Sequence, residues 1–72
     1  MAITLEVSGM TCHHCEMHVT EELTALDGVA DVKVELNPEG ISLVTIEGDA
    51  TDAEIREAVD EAGDYVIESI AR

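Results

Sequence analysis

The sequence is poor in aromatic residues, in basic residues and in long apolar runs. Its 72 residues contain no Trp or Phe and one Tyr, so any core must be built from aliphatic side chains. No apolar run approaches the roughly 18 residues of a membrane-spanning helix, and the start "MAITLEVSG" lacks the basic residues of a secretory signal. We therefore expect one small domain, spanning residues 1–72, that stays in the cytosol.

Acidic residues outnumber basic ones by 17 to 3, which gives a formal net charge of −14. Nucleic acid and anionic membrane surfaces repel such a chain. The acids could form a docking face for a basic partner, or a solvation shell suited to a very salty cytoplasm, as in extreme halophiles. Because they are spread over the whole length of the chain, the halophilic interpretation is favoured.

Hydrophobic periodicity predicts the element order β-α-β-β-α-β. The expected elements are a strand at 3–8, a helix at 14–26, a hairpin at 32–47 around the turn "NPEG", a helix at 52–62 and a strand at 65–70. Thr51 and Glu54 have the spacing of a capping box at the start of the second helix, and Gly63 follows its end. This order predicts an α+β, ferredoxin-like sandwich, a four-stranded antiparallel sheet with both helices on one face.

The segment "GMTCHHCEMH", residues 9–18, contains both cysteines and all three histidines of the chain. The sulfurs of Cys12 and Cys15 can converge if Cys15 lies in the first turn of a helix, where the helix dipole favours a thiolate. Two thiolates are too few for structural zinc, which takes four protein ligands, or for an iron–sulfur cluster, which takes about four cysteines. They suffice for Cu(I), a soft ion that thiolates select. The number of ligands points to copper.

Other potential ligands flank the cysteines. His13 and His14 are consecutive and project differently, so they cannot complete a tetrahedral site, and we interpret them as exposed loop residues. The alternative is a third-ligand or proton-linked role for either one. His18 is expected on the helix surface. Met10 is expected to plug the end of the core, with thioether ligation of Cu(I) as the alternative.

The motif "GMTCHHC" is followed by apolar residues at helical spacing, by "GV" at residues 28–29 and by the closing segment "EAGDYV". The apolar residues are Val19, Leu23 and Leu26. Together they resemble the heavy-metal-associated (HMA) domain family, which comprises small cytosolic copper chaperones and N-terminal domains of copper-transporting P-type ATPases. The resemblance implies Cu(I) bound by Cys12 and Cys15 and passed by thiolate exchange to the metal-binding domain of such an ATPase. Relatives serving zinc, cadmium or lead ATPases often carry an acid in the place of Thr11, so Thr11 favours copper.

The sequence departs from the family pattern beyond the second helix. Relatives commonly place an aromatic residue directly after the glycine that ends this helix, where it shields the copper, and eukaryotic relatives place Lys there. Here Asp64 follows Gly63, and Tyr65 comes one residue later. Either Tyr65 covers the site or Asp64 faces it. Basic residues, which many relatives carry near the loop, are scarce.

The predicted function is that of a non-enzymatic, free-standing copper chaperone, because the chain starts at Met1 and contains one domain. The alternatives are a metal-binding regulatory domain of a P-type ATPase, a zinc carrier, and a dithiol redox protein with Cys12 as the nucleophile. The apo protein is expected to be a monomer. Two copies could share copper between facing CxxC loops and form a metal-bridged dimer.

Overall fold

Four strands and two helices follow one another in the predicted order. The structure is a computed structural model that describes residues 2–10, 13–37, 39–63 and 65–71. Its elements are β1 (Ala2–Ser8), α1 (His13–Thr24), β2 (Val29–Glu35), β3 (Ser42–Gly48), α2 (Asp52–Ala62) and β4 (Val66–Ala71). The strands pair antiparallel in the order β2-β3-β1-β4, which confirms the ferredoxin-like topology.

The core lies between the sheet and the two helices. Strict alternation in β1 turns one face of this strand inward, as the sequence predicts, and β3 alternates between buried and exposed residues in the same way. The helices add residues at helical spacing from one side, so the buried apolar side chains of the described residues form one cluster. Its members are Ile3, Leu5, Val7, Met10, Val19, Leu23, Val44, Ile46, Ala50, Ile55, Ala58 and Val59. The opposite face of the sheet carries no helix within the described part of the chain.

Helix α1 ends at Thr24, two residues before the predicted end at Leu26. The Leu26 amide donates to the carbonyl of Leu23 at 3.1 Å, which starts a tight turn. This turn brings Gly28 so close to β3 that a Cβ there would lie 2.6 Å from the Asp49 carbonyl oxygen. Gly28 also has a φ of +93°, which favours glycine. The i→i−4 bonds of α1 continue to the Ala25 amide, and at Leu26 a tighter bond replaces them, so the helix ends before the close approach of Gly28.

Strand β4 contains a bulge that its sequence did not reveal. The register of β4 against β1 shifts by one residue at Glu68. As a result Ile67 pairs with Val7 and Ile70 pairs with Leu5, so both isoleucines face the core although they are three residues apart. Strict alternation would have placed them on opposite faces of the sheet.

The predicted capping box of α2 is present. The Thr51 hydroxyl accepts the Glu54 amide at 3.1 Å, and the Thr51 amide donates to the Glu54 carboxylate at 2.9 Å. At the other end the Gly63 amide donates to the carbonyl of Val59 at 3.3 Å. In the predicted "NPEG" turn the Gly40 amide donates to the carbonyl of Asn37 at 3.2 Å, while Pro38 lies outside the described residues.

Candidate metal centre

The cysteine motif lies at one end of the sheet, between β1 and α1. Strand β1 ends at Ser8, and α1 begins at His13. Antiparallel pairing places Val66 opposite Ser8 and Ser42 opposite Val7, so β3 and β4 both begin at this end. The motif therefore lies in the predicted corner of the fold, close to the β2–β3 hairpin and to the segment between α2 and β4. Thr11 and Cys12 themselves lie outside the described residues.

Met10 anchors the segment that leads into the motif. Its side chain is 1% exposed and belongs to the core cluster, as expected for a plug. Because Met10 is buried in the core after β1 has ended at Ser8, the chain is anchored two residues before Cys12. This burial supports the interpretation of Met10 as an anchor, while its possible thioether ligation stays a prediction.

Cys15 is the third residue of α1 and lies in its first turn. The side chain is half-buried and packs against the core, in line with Val19 and Leu23, which are buried four and eight residues further along the helix. A helix therefore sets the position of this sulfur. The amides at the start of α1 face the first turn and favour negative charge on the sulfur.

The histidines lie on the outside of α1. His13, His14 and His18 are all exposed, as predicted. The Nδ1 atom of His13 lies 3.0 Å from Oε2 of Glu16, and the ionised carboxylate can only accept in this contact. The contact holds the His13 ring against the first turn of α1. Sequence reasoning missed it, although the spacing of three residues on a helix was a usable signal.

Tyr65 lies against the end of α2. A Cβ placed on Gly63 would be 2.9 Å from Cε2 of Tyr65, so the ring packs directly over this glycine. Tyr65 is half-buried and directly precedes Val66, which pairs with the last residue of β1. The ring is thus held at the same end of the sheet as the cysteine motif. Asp64 lies outside the described residues, so the choice between Asp64 and Tyr65 as the residue facing the metal stays a prediction.

The similarity of the whole chain to known proteins agrees with this geometry. The model of the heavy-metal-associated domain family matches residues 4–64, which include the motif and all or most of every element except β4. The chain belongs to this family.

Relatives of this HMA domain include named copper chaperones. It is 32% identical over 60 residues to the copper chaperone CopZ of Staphylococcus saprophyticus, covering 83% of this chain and 88% of that protein. It is 35% identical over 57 residues to CopZ of Enterococcus hirae, covering 79% and 83% of the two chains.

Solved structures of copper chaperones are also similar to this HMA domain. A structure of a CopZ metallochaperone superposes with a TM-score of 0.74 at 27% identity, covering 93% of this HMA domain and 98% of that chain. The Cu(I)-loaded first domain of the human copper chaperone for SOD1 superposes with a TM-score of 0.68 at 26% identity, covering 99% of each chain.

The described part of the HMA domain contains one of the two predicted thiolate ligands. No group of three or more His, Cys, Asp or Glu side chains among the described residues is arranged to hold a metal ion. The pairing of Cys15 with Cys12 therefore stays a prediction.

Among the described residues, no helix is long and apolar enough to cross a membrane.

Proposed function

We propose that this HMA domain is a copper chaperone that binds Cu(I) through Cys12 and Cys15 and passes it to the metal-binding domain of a copper-transporting P-type ATPase. The observation that carries the proposal is the position of Cys15, held in the first turn of α1 at the exposed end of the sheet. The similarity to CopZ chaperones supports copper as the cargo. In this proposal the protein is a carrier and not an enzyme.

Ligand exchange between thiolates accounts for the transfer. Cu(I) is soft and accepts low coordination, so two sulfurs hold it while leaving room for a third. An incoming thiol loses its proton and forms a new sulfur–copper bond before one of the original bonds breaks. The released thiolate then takes up a proton. Copper remains Cu(I) throughout, and the barrier does not include the release of an unbound ion.

The fold supports this exchange by combining a fixed sulfur with an open approach. Cys15 is held by a helix, and Met10 fixes the start of the loop in the core. The exposed residues His13 and His14 are the candidates for an accessory third ligand. The same open coordination allows two copies to share copper as a metal-bridged dimer, while the apo protein is a monomer. Because the thiols must stay reduced, the cytosol is the fitting compartment.

Anaerobic titration with Cu(I) and Zn(II) against a competing chelator, with mass spectrometry for stoichiometry, tests the metal. We expect one Cu(I) per chain and a strong preference for Cu(I) over Zn(II). A preference for Zn(II) would make the protein a zinc carrier. Readily reversible disulfide formation without metal binding would favour a dithiol redox protein.

Mixing the copper-loaded protein with an apo metal-binding domain of a copper-transporting ATPase tests the transfer. We expect NMR spectra of both proteins to show exchange much faster than spontaneous copper release, with an equilibrium constant near one. Transfer no faster than release would contradict the carrier function. It would instead indicate a copper store or sensor, such as a regulatory ATPase domain.

A further inference from the structure

A groove runs between α1 and the edge strand β2. It has a volume of about 320 Å³, and we call it the α1–β2 groove; it is lined by Glu16, Met17, Thr20, Glu21, Val32 and Val34. Glu16 and Met17 directly follow Cys15 in the first turns of α1. A protein that takes a metal ion from Cys15 on this side would therefore cover the groove.

The groove offers an apolar contact. Met17 is 53% exposed and is one of four large apolar side chains that are substantially exposed among the described residues, together with Ile41, Leu43 and Val66. Of these four, Met17 alone belongs to a helix. Half-buried Val32 and Val34 form the floor beside it. Methionine is flexible and polarisable, so this lining can adapt to the shape of an inserted apolar side chain.

The rim of the groove is anionic. Glu16 and Glu21 lie along its α1 side, and the described lining contains no Lys or Arg. Lys33 lies between the two floor valines in β2, but alternation turns its side chain to the helix-free face, where it pairs with Thr45. It therefore does not neutralise the rim. The groove combines an apolar floor with two rim carboxylates, of which Glu16 also contacts the His13 ring at 3.0 Å.

Charge decides between the possible occupants. A second copy of this chain would bring another net charge of −14 against the same acids, which opposes self-association. The neighbouring groove between α1 and α2 is lined by four carboxylates, from Glu22, Glu54, Glu57 and Glu61, with Leu26 and two alanines as its small apolar part. The α1–β2 groove is better suited to a surface that presents both cationic and apolar groups.

We propose that the α1–β2 groove docks the copper-accepting partner, which inserts an apolar side chain flanked by Lys or Arg. The inference rests on the proposed transfer function, because it names the surface at which the accepting domain is held. The apolar side chain packs on Met17 and the two valines, and the flanking cations meet Glu16 and Glu21. Contact at this place leaves the end of the sheet open for thiolate exchange at Cys15.

Short peptides without copper or thiols test the chemistry of the groove directly. The apo protein is titrated at low salt with acetyl-Lys-Leu-Lys-amide and followed by 15N NMR. We expect saturable shifts of the amides of Met17, Thr20, Val32 and Val34. Acetyl-Lys-Ser-Lys-amide and acetyl-Glu-Leu-Glu-amide should shift them far less, because one lacks the apolar group and the other the cations.

Matched variants locate the binding. Met17→Gln should weaken acetyl-Lys-Leu-Lys-amide about five- to tenfold, as expected for losing part of a buried apolar contact. Val66→Gln, at a similar exposure of 57% on the helix-free face, should leave binding unchanged. Glu21→Gln should weaken binding and reduce its salt dependence, whereas Glu47→Gln on the helix-free face should do neither.

The proposal is overturned if the shifts spread over all acidic residues, if they centre on the α1–α2 groove, or if Val66→Gln acts as strongly as Met17→Gln. Shifts that follow protein concentration alone would identify a second copy as the occupant and also overturn it. Failure of the transfer function is distinguishable. If the wild type binds the peptide but does not transfer copper, the docking role of the groove is retained and the transfer function is rejected. If Met17→Gln transfers copper as fast as the wild type, the transfer function is retained and the docking role of the groove is rejected.

Discussion

The two helices begin in very different ways. The first turn of α2 is closed by reciprocal hydrogen bonds between Thr51 and Glu54, which stabilise the helix locally. The first turn of α1 carries His13, His14 and Cys15, the candidate groups for metal binding. In α2 the starting residues stabilise the helix, and in α1 they include Cys15, a proposed metal ligand.

Helix α1 can carry such a start because its stability comes from elsewhere. A helix of 12 residues is marginal by itself in water. Val19 and Leu23, in its second half, are fully buried against the sheet. Packing of these two side chains holds α1 in place and leaves its first turn to the site. The comparison therefore predicts that stability and metal binding can be changed separately.

Replacement of Cys15 by Ser should have the largest effect on function. It removes one of the two proposed thiolates, so tight Cu(I) binding should be lost, while the melting temperature of the apo protein should change little. Competition with a Cu(I) chelator and thermal unfolding followed by circular dichroism measure the two quantities. Cys12→Ser should behave in the same way. High affinity retained in both single variants would reject the two-thiolate site.

Met10 should show the reverse behaviour, because it belongs to the core although it borders the site. Met10→Ala leaves a cavity and should lower the free energy of unfolding by about 2–5 kcal/mol. Met10→Leu nearly conserves volume and should cost less than about 1.5 kcal/mol, with copper affinity unchanged. Chemical denaturation measures the first effect. A large loss of affinity in Met10→Leu would identify the thioether as a ligand.

Much of the fold could be predicted because its signals are local. The alternation in β1 and the spacing of Thr51 and Glu54 depend on neighbouring residues, and the structure confirms both. The bulge at Glu68 and the early end of α1 depend on distant strands, so periodicity could not reveal them. A bulge changes the face of every following residue, and nothing within β4 marks its place.

Sequence reasoning predicted where Cys15 lies, but not the contacts around the candidate site. The spacing of the cysteines placed Cys15 in the first turn of α1, where the structure also has it. The packing of Tyr65 over Gly63 joins residues two apart through the shape of a non-helical connection, which has no periodicity to read. The groove beside Met17 requires knowledge of the α1–β2 packing and was not predicted.

The excess of acids predicts a strong salt dependence of the fold. Two unit charges about 7 Å apart repel by about 0.6 kcal/mol in water, so a handful of such carboxylate pairs amounts to about 2–3 kcal/mol. Screening at molar KCl should remove most of this repulsion and raise the melting temperature. A melting temperature that does not respond to KCl would instead favour a docking role for the acids. Glu22→Gln in the α1–α2 groove should reduce the response.

The capping box makes α2 the helix that is sensitive to a single hydroxyl. Thr51→Ala removes the acceptor of the Glu54 amide and should lower the free energy of unfolding by about 1 kcal/mol, with Cu(I) affinity unchanged. Urea denaturation measures the loss. Thr24→Ala, at an exposed hydroxyl in the last turn of α1, is the matched control and should have a smaller effect. Equal losses in the two variants would contradict the importance assigned to the cap.

The smallest expected effect is a pH dependence of the same cap. Hydrogen bonds from the backbone amide and then the hydroxyl of Thr51 hold the pKa of Glu54 below its ordinary value of 4.5. Because the folded pKa is the lower one, this stabilisation is fully present above pH 4.5 and is lost as the pH falls through the folded pKa. Glu54→Gln cannot titrate, so the stability difference between wild type and Glu54→Gln should shift in favour of the variant below this pH. Glu57→Gln removes a charge from the same helix outside the box and corrects for general repulsion. Identical pH profiles of the two variants would show that the carboxylate of Glu54 contributes only its charge and not its hydrogen bonds.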